Sequence, residues 1–279
     1  MKRPIKRILS FDAFGTLFVP RYPVHQIYKE LSLIHKIPHN DSLIQQKFPQ
    51  AFKQLNAEYP NYGKHQGIGF KQWWFMLIQN VYGREEMTSK FEEFCEDVFS
   101  TFEDERGYAR YEDVYQFLRT MKNKEESLIV CMSNGDPRVN KVLSNLGLGK
   151  FFDKTYLSYD IEMDKSSIRF YDYVAKDIKS QTEEEVPLKE FWHFGDELKN
   201  DLINSTKAGW TGVLINRQMG DDDIKAQYSR AKDIKDLDVI AERLKTNYVV
   251  SNHNKFFKLG ERQYVTNRLD HEGFKLLEL

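Results

Sequence analysis

The sequence predicts an α/β protein: a doubly wound, mainly parallel sheet with an all-helical segment inserted after its first strand. Three observations predict it. Short apolar runs at Ile8–Phe11, Leu128–Met132 and Phe191–Phe194 each stop at a polar or glycine-led turn, as buried parallel strands do. Amphipathic stretches separate the later runs, giving the alternation of right-handed strand–helix–strand crossovers. After the first run, about 85 residues keep a helical period.

The totals bound the function classes. A chain of 279 residues holds one large or two modest domains and buries a sizeable core. Forty-one Lys and Arg stand against 42 Asp and Glu, a net charge of -1, so no global field draws nucleic acid or an anionic membrane. Any phosphate affinity must be built locally. Cys95 and Cys131 lie in apolar contexts and read as buried small hydrophobes of a reduced protein without disulfides. The basic start, Met1 to Arg7, runs straight into the first strand, and no apolar run nears the ~20 residues that cross a bilayer. A cytosolic location, or a nuclear one, is expected.

Taken in order, Ile8–Phe11 ends at Asp12 and turns through Gly15 and Thr16, beyond the carboxyl end of a strand where such sheets gather their chemistry. Val24, Ile27, Tyr28 and Leu31 then fall at helical spacing, as do Phe48, Phe52, Leu55 and Tyr59, and Phe91, Phe94, Cys95 and Val98. These define residues 20–105 as an inserted domain. The connector from Tyr59 to Gly69 either faces a cleft or packs the insertion with Trp73 and Trp74; His65 within it reads as solvated. A helix with Val114, Phe117, Leu118 and Met121 precedes the second strand, and Ser133-Asn134-Gly135-Asp136-Pro137 opens a helix that Gly147 closes. A strand near Thr155–Ser158 leads through Asp164-Lys165 into a helix with Ile168, Tyr171, Ala175 and Ile178. Strand Phe191–Phe194, the pair Asp196 and Asp201, a short helix ending near Gly209, and strand Gly212–Ile215 complete the sheet. Glu183-Glu184-Glu185 reads as a solvated loop, Gly220-Asp221-Asp222-Asp223 as a surface turn, and Leu237, Ile240 and Leu244 as a last amphipathic helix. Residues 248–279 read either as a strand pair added to the sheet edge or as a partner-binding tail.

The strand ends form a pattern. Asp12-Ala13-Phe14-Gly15-Thr16-Leu17, then Ser133, Lys165, and Gly195-Asp196 with Asp201, resemble the haloacid dehalogenase superfamily over residues 7 to 216. Tyr59-Pro60-Asn61-Tyr62-Gly63 followed by Gln72-Trp73-Trp74 is similar to the subgroup called haloacid-dehalogenase-like hydrolase domain-containing protein three. The resemblance implies a Rossmann-like core from 1–19 and 106–247 and a helical cap from 20–105; residues 248–279 read as an extension beyond it. It implies that Asp12 is a nucleophile, that Ser133 and Lys165 act on a phosphoryl group, and that Asn134, Gly15 and Thr16 bind substrate. It places Mg²⁺ on Asp12, the main-chain carbonyl of Phe14, Asp196 and Asp201, the last in support. Crowded carboxylates need such a cation, and all-oxygen ligation suits this one.

Phe14 departs from the pattern, because phosphatases of the superfamily carry there a second Asp that serves as general acid and base. Three functions follow. The first is a slow Mg²⁺-dependent phosphohydrolase acting on a small phosphorylated metabolite. The second is a 2-haloacid dehalogenase, a branch with an aromatic residue at this position but Ser and Asn in place of the later acidic pair. The third is a catalytically silent binding or scaffold protein.

Overall fold

The computed structural model describes residues 5–84, 86–123, 126–182, 185–217 and 256–269. The sheet has seven strands in the order β5-β4-β1-β6-β7-β9-β8. They are β1 (Arg7–Phe11), β4 (Ser127–Ser133), β5 (Lys154–Leu157), β6 (Phe191–Gly195), β7 (Thr211–Ile215), β8 (Phe256–Gly260) and β9 (Gln263–Thr266). All neighbours are parallel except β8, which is antiparallel to β9.

Each central strand buries both faces. Leu9, Phe11, Ile129 and Cys131 enter one core with α5 (Glu112–Lys122) and α6 (Arg138–Asn145), whereas Ile8, Val130 and Met132 enter the other with α7 (Ile168–Gln181). The period of two explains why these strands read as continuous apolar runs. Phe11 and Phe194 stack at 4.7 Å between ring centroids and tie β1 to β6. Cys95 and Cys131 are free and fully buried, and burial pushes the Cys95 thiol up to about 12.

Helices α1 (Val24–Ile34), α2 (Asp41–Glu58), α3 (Phe70–Tyr82) and α4 (Ser89–Thr101) make the inserted cap. Ile27, Leu31, Leu55, Trp73, Phe91 and Phe94 belong to its separate core. Asn40 caps α2 and Thr88 caps α4, each accepting a main-chain N–H three residues on. Two three-residue strands that the sequence reading left out, β2 (Phe18–Pro20) and β3 (Tyr108–Arg110), form an antiparallel ribbon through which the chain enters and leaves the cap. The end of the chain also gains definition: β9 adds to β7 and β8 to β9, so the strand-pair reading holds for residues 256–266. The turn at Gly220–Asp223, the helix around Leu237, Ile240 and Leu244, and residues Glu183 and Glu184 lie outside the described residues. No helix among the described residues is long and apolar enough to cross a membrane.

Candidate active site

The strand order reverses at β1 and β6. From β1 the chain builds outward through β4 and β5; from β6 it builds the other way through β7. Diverging loops leave a crevice at the carboxyl ends there. Asp12 follows β1, its N–H donating to the Phe194 carbonyl at 2.7 Å, and Asp196 follows β6. Asp12, Asp196 and Asp201 bring carboxylate oxygens within 4.8 Å of one another.

Two glycines permit this crowding. Gly15 has φ +81°, and a Cβ there would lie 2.3 Å from Asp196 Oδ2. A Cβ on Gly195 would lie 2.1 Å from Asp201 Cγ. Thr16, fully buried, donates its hydroxyl to Asp196 Oδ1 at 3.1 Å. Gly15 and Thr16, expected to bind substrate, both pack against Asp196, which lines the cavity described below. Asp201 sits in a π-helical turn, Leu198–Ile203, where its Oδ2 accepts the Glu197 N–H at 2.9 Å. Such turns recur at functional sites because they re-aim one side chain within a helix.

Lys165, 2% exposed, is the cation at the centre. Its Nζ donates to Asp12 Oδ1 and, at 2.7 Å, to Asp201 Oδ1. Its main chain is pinned on both sides: Asn134 Oδ1 accepts the Lys165 N–H at 2.8 Å, and Asn204 Nδ2 donates to the Lys165 carbonyl at 2.9 Å. Behind it, Asp201 Oδ1 also accepts from His193 Nε2 at 3.0 Å, and His193 Nδ1 lies 2.7 Å from Ser10 Oγ. Burial lowers the His193 pKa, and the Ser10 hydroxyl beside Nδ1 also lies 3.0 Å from the Trp192 carbonyl, to which it donates.

The carboxylates divide accordingly. Burial works against the charge on Asp201, but Lys165 and His193 more than offset it and hold the group well below the usual carboxylate range. Burial raises Asp12 well above that range; Lys165 pulls it back, while Asp201 and Asp196 add to the rise. Asp196 is pushed up to about 6 by burial and by the Asp201 charge. Burial opposes the Lys165 charge as well, yet Asp12 and Asp201 raise its pKa well above the ordinary value. One ammonium thus serves three carboxylates.

This cluster forms one end of a cavity of about 510 Å³ between core and cap, which Asp12, Ser133, Asn134, Lys165 and Asp196 all line. Phe14 lines it too, 51% exposed, with its ring edge-on to Phe18 at 6.3 Å and Tyr108 at 6.2 Å. The connector after α2 both packs the cap and meets the cleft. Tyr62 packs against Trp73 and Trp74, and its hydroxyl donates to the Asn134 carbonyl at 3.3 Å. His65 is exposed.

Three residues of this region were not singled out from the sequence. Asp136 and Arg138 form a buried ion pair at 2.7 Å that closes the far wall, and Trp74 Nε1 donates to Asp136 at 2.8 Å. The Asp-Pro-Arg spacing within the turn after β4 was the available signal. For His193 the signal was a lone imidazole in an apolar strand two residues before Gly195.

A model of the haloacid dehalogenase-like hydrolases matches residues 6–204. The chain belongs to that family. Among relatives of this hydrolase, an uncharacterized Saccharomyces cerevisiae protein is 37% identical over 225 residues, covering 77% of this chain and 72% of its own. Haloacid dehalogenase-like hydrolase domain-containing protein 3 of Mus musculus is 27% identical over 215 residues, 75% and 81% of the two chains. L-2-haloacid dehalogenase from Xanthobacter autotrophicus has the same fold, with a TM-score of 0.59 at 18% identity over 98% of each chain. So has Bacillus subtilis YfnB bound to magnesium, with a TM-score of 0.57 at 15% identity over 77% of this chain and 91% of that one.

Proposed function

We propose that this hydrolase is a slow Mg²⁺-dependent phosphohydrolase that acts through an aspartyl-phosphate on a small phosphorylated metabolite. The observation that carries the reading is the convergence of Asp12, Ser133, Lys165 and Asp196 on one wall of one cavity. The donor set fits the ion: three carboxylates exceed the single ammonium beside them, and all their donor atoms are oxygens. Asp12, Asp196 and the Phe14 main-chain carbonyl would hold Mg²⁺, with Asp201, whose oxygens are already engaged, in support. Bound there, the ion supplies positive charge for the carboxylates and for a phosphate.

Asp12 then supplies a carboxylate oxygen that bonds to phosphorus while the ester P–O bond breaks and its electron pair leaves on the departing oxygen. Lys165 has a third N–H beyond the two given to Asp12 and Asp201, and Ser133 a hydroxyl on the cavity wall; both meet charge on the phosphoryl oxygens. Water next attacks phosphorus, releasing inorganic phosphate and restoring the Asp12 carboxylate. Phe14 can give the departing oxygen no proton, so that oxygen leaves as an anion and takes its proton from solvent, which the attacking water replaces. Acyl and aryl phosphates, with good leaving groups, are the substrates this arrangement favours.

The same Phe14 favours a second reading, a 2-haloacid dehalogenase. The two separate in one assay. We expect phosphate release from an aryl phosphate with Mg²⁺ and none after chelation; metal-independent halide release from a 2-haloacid would instead put the dehalogenase first. Neither product at all would leave a binding protein of the same fold.

Metal binding has its own signature. Because Asp196 has a folded pKa above its unfolded value, its contribution to stability is full at low pH and is lost as pH rises through about 6. A cation relieves that loss. At about pH 7.5, Mg²⁺ at roughly 100 times its Kd should raise Tm by about 5–10 °C, and by clearly less near pH 5, in a differential scanning measurement. Gly15→Ala, which forces the Asp196 carboxylate aside, should abolish the shift. A Tm indifferent to Mg²⁺ at both pH values would remove the metal from the site.

A further inference from the structure

We infer that the group leaving the phosphoryl is uncharged and largely apolar: an aromatic alcohol, not a sugar acid, a bisphosphate or a nucleotide. This rests on the phosphohydrolase reading and concerns the other end of the same cavity. Beyond Asp12 and Lys165 the walls are Phe14, Phe52, Trp74, Phe99, Phe102 and Tyr108, contributed by core and cap together. A cavity of about 510 Å³ holds much more than a phosphoryl group, so the remainder of the ligand lies among these rings.

The far wall carries one cation, and it is already spoken for. Arg138 donates from Nε to Asp136 Oδ1 at 3.0 Å and from Nη2 to Asp136 Oδ2 at 2.7 Å. Its guanidinium lies 4.2 Å from the Trp74 ring centre and 4.7 Å from that of Phe99. Asp136 in turn accepts the Trp74 indole N–H and the Arg138 main-chain N–H. The pair carries no net charge to offer a second anion. A carboxylate or phosphate pushed to this depth would lose its water without a net positive charge to compensate, a large penalty. At the mouth Glu197 adds negative charge, which disfavours a second anion there as well. Tyr28, 2% exposed, and Tyr108 line the cavity, and neither hydroxyl is given a hydrogen bond by a described residue. They give a neutral ligand one or two polar contacts.

The test changes the distant charge; because the methyl ester is also the better leaving group, the gap between the two phosphates is compared between wild type and variant, where that difference cancels. With full-length protein and Mg²⁺, 4-(methoxycarbonyl)phenyl phosphate should be hydrolysed with a kcat/KM about 100-fold above that of 4-carboxyphenyl phosphate, the scale of penalty for a mismatched polar group in a built pocket. Asp136→Asn keeps the shape of the wall and frees Arg138, so it should narrow that gap to under about 10-fold through a gain on the carboxylate. Should that variant fail to fold, binding of the free phenols to the wild type, followed by tryptophan fluorescence, decides the matter. The methyl ester of 4-hydroxybenzoate should bind and 4-hydroxybenzoate itself should not. Equal turnover of the two phosphates, or a preference for the carboxylate, would overturn this inference and leave the phosphohydrolase standing. Binding of the neutral phenol with no hydrolysis of either ester would refute the phosphohydrolase and keep the pocket's preference.

Discussion

Replacing Asp12→Asn should lower kcat on an aryl phosphate by about 10⁴-fold or more while leaving the metal-free protein as stable as the wild type, or more so. The expected activity loss rests on the proposed role of Asp12 as nucleophile: an amide oxygen is a poor one, and the groups around it would act as a unit that retains little without it. The stability expectation follows from the electrostatics. Asp12 sits in a site where burial raises its pKa and where Asp196 and Asp201 compete for the one ammonium of Lys165. Removing one of three carboxylates relaxes that competition. Asn Oδ1 still accepts a hydrogen bond from Lys165, so the packing is conserved. The combination is what discriminates. A destabilised variant with lost activity would say only that Asp12 is structural. Retention of activity to within tenfold would show that the carboxylate is not the nucleophile.

How far this site can be read from the chain depends on which residues follow strands. Asp12, Ser133 and Asp196 each stand just past, or at the end of, a buried apolar run, and a parallel sheet brings such ends to one edge whatever lies between them. Lys165 is legible by its place before a capped helix. Gly15 and Thr16 share the sequence pattern, but their contact is with the Asp196 carboxylate, which a sharp turn at φ +81° brings beside them. No periodicity encodes that contact. His193 and the Asp136–Arg138 pair are hidden for another reason: Ser10, beside His193, and Trp74, which donates to Asp136, come from distant segments, and only the pairing of β1 with β6 and the docking of the cap on the core bring them together. The β2–β3 ribbon is invisible because three residues per strand, one of them Pro20, give no alternation to detect. The edge pair β8 and β9 stays ambiguous because its polar and apolar residues fit a tail equally well.

Phe14→Asp should raise phosphatase activity by about 10²–10⁴-fold on alkyl phosphates and by much less on aryl phosphates. The ring at position 14 is 51% exposed and contributes to no core cluster among the described residues; its contacts are edge-on packing against Phe18 and Tyr108. Losing those contacts costs about 0.5–1.5 kcal/mol each at most, so the variant should fold. A carboxylate two residues after the nucleophile stands near Asp12 and Asp196, whose charges favour its protonated form, and a proton held there can pass to the departing oxygen. The benefit scales with need. Aryl and acyl leaving groups depart readily as anions and gain little, whereas an alkoxide does not. A plot of log kcat/KM against leaving-group pKa should therefore be steep for the wild type and flatter for the variant. Parallel lines would mean that position 14 is not the vacated acid–base place.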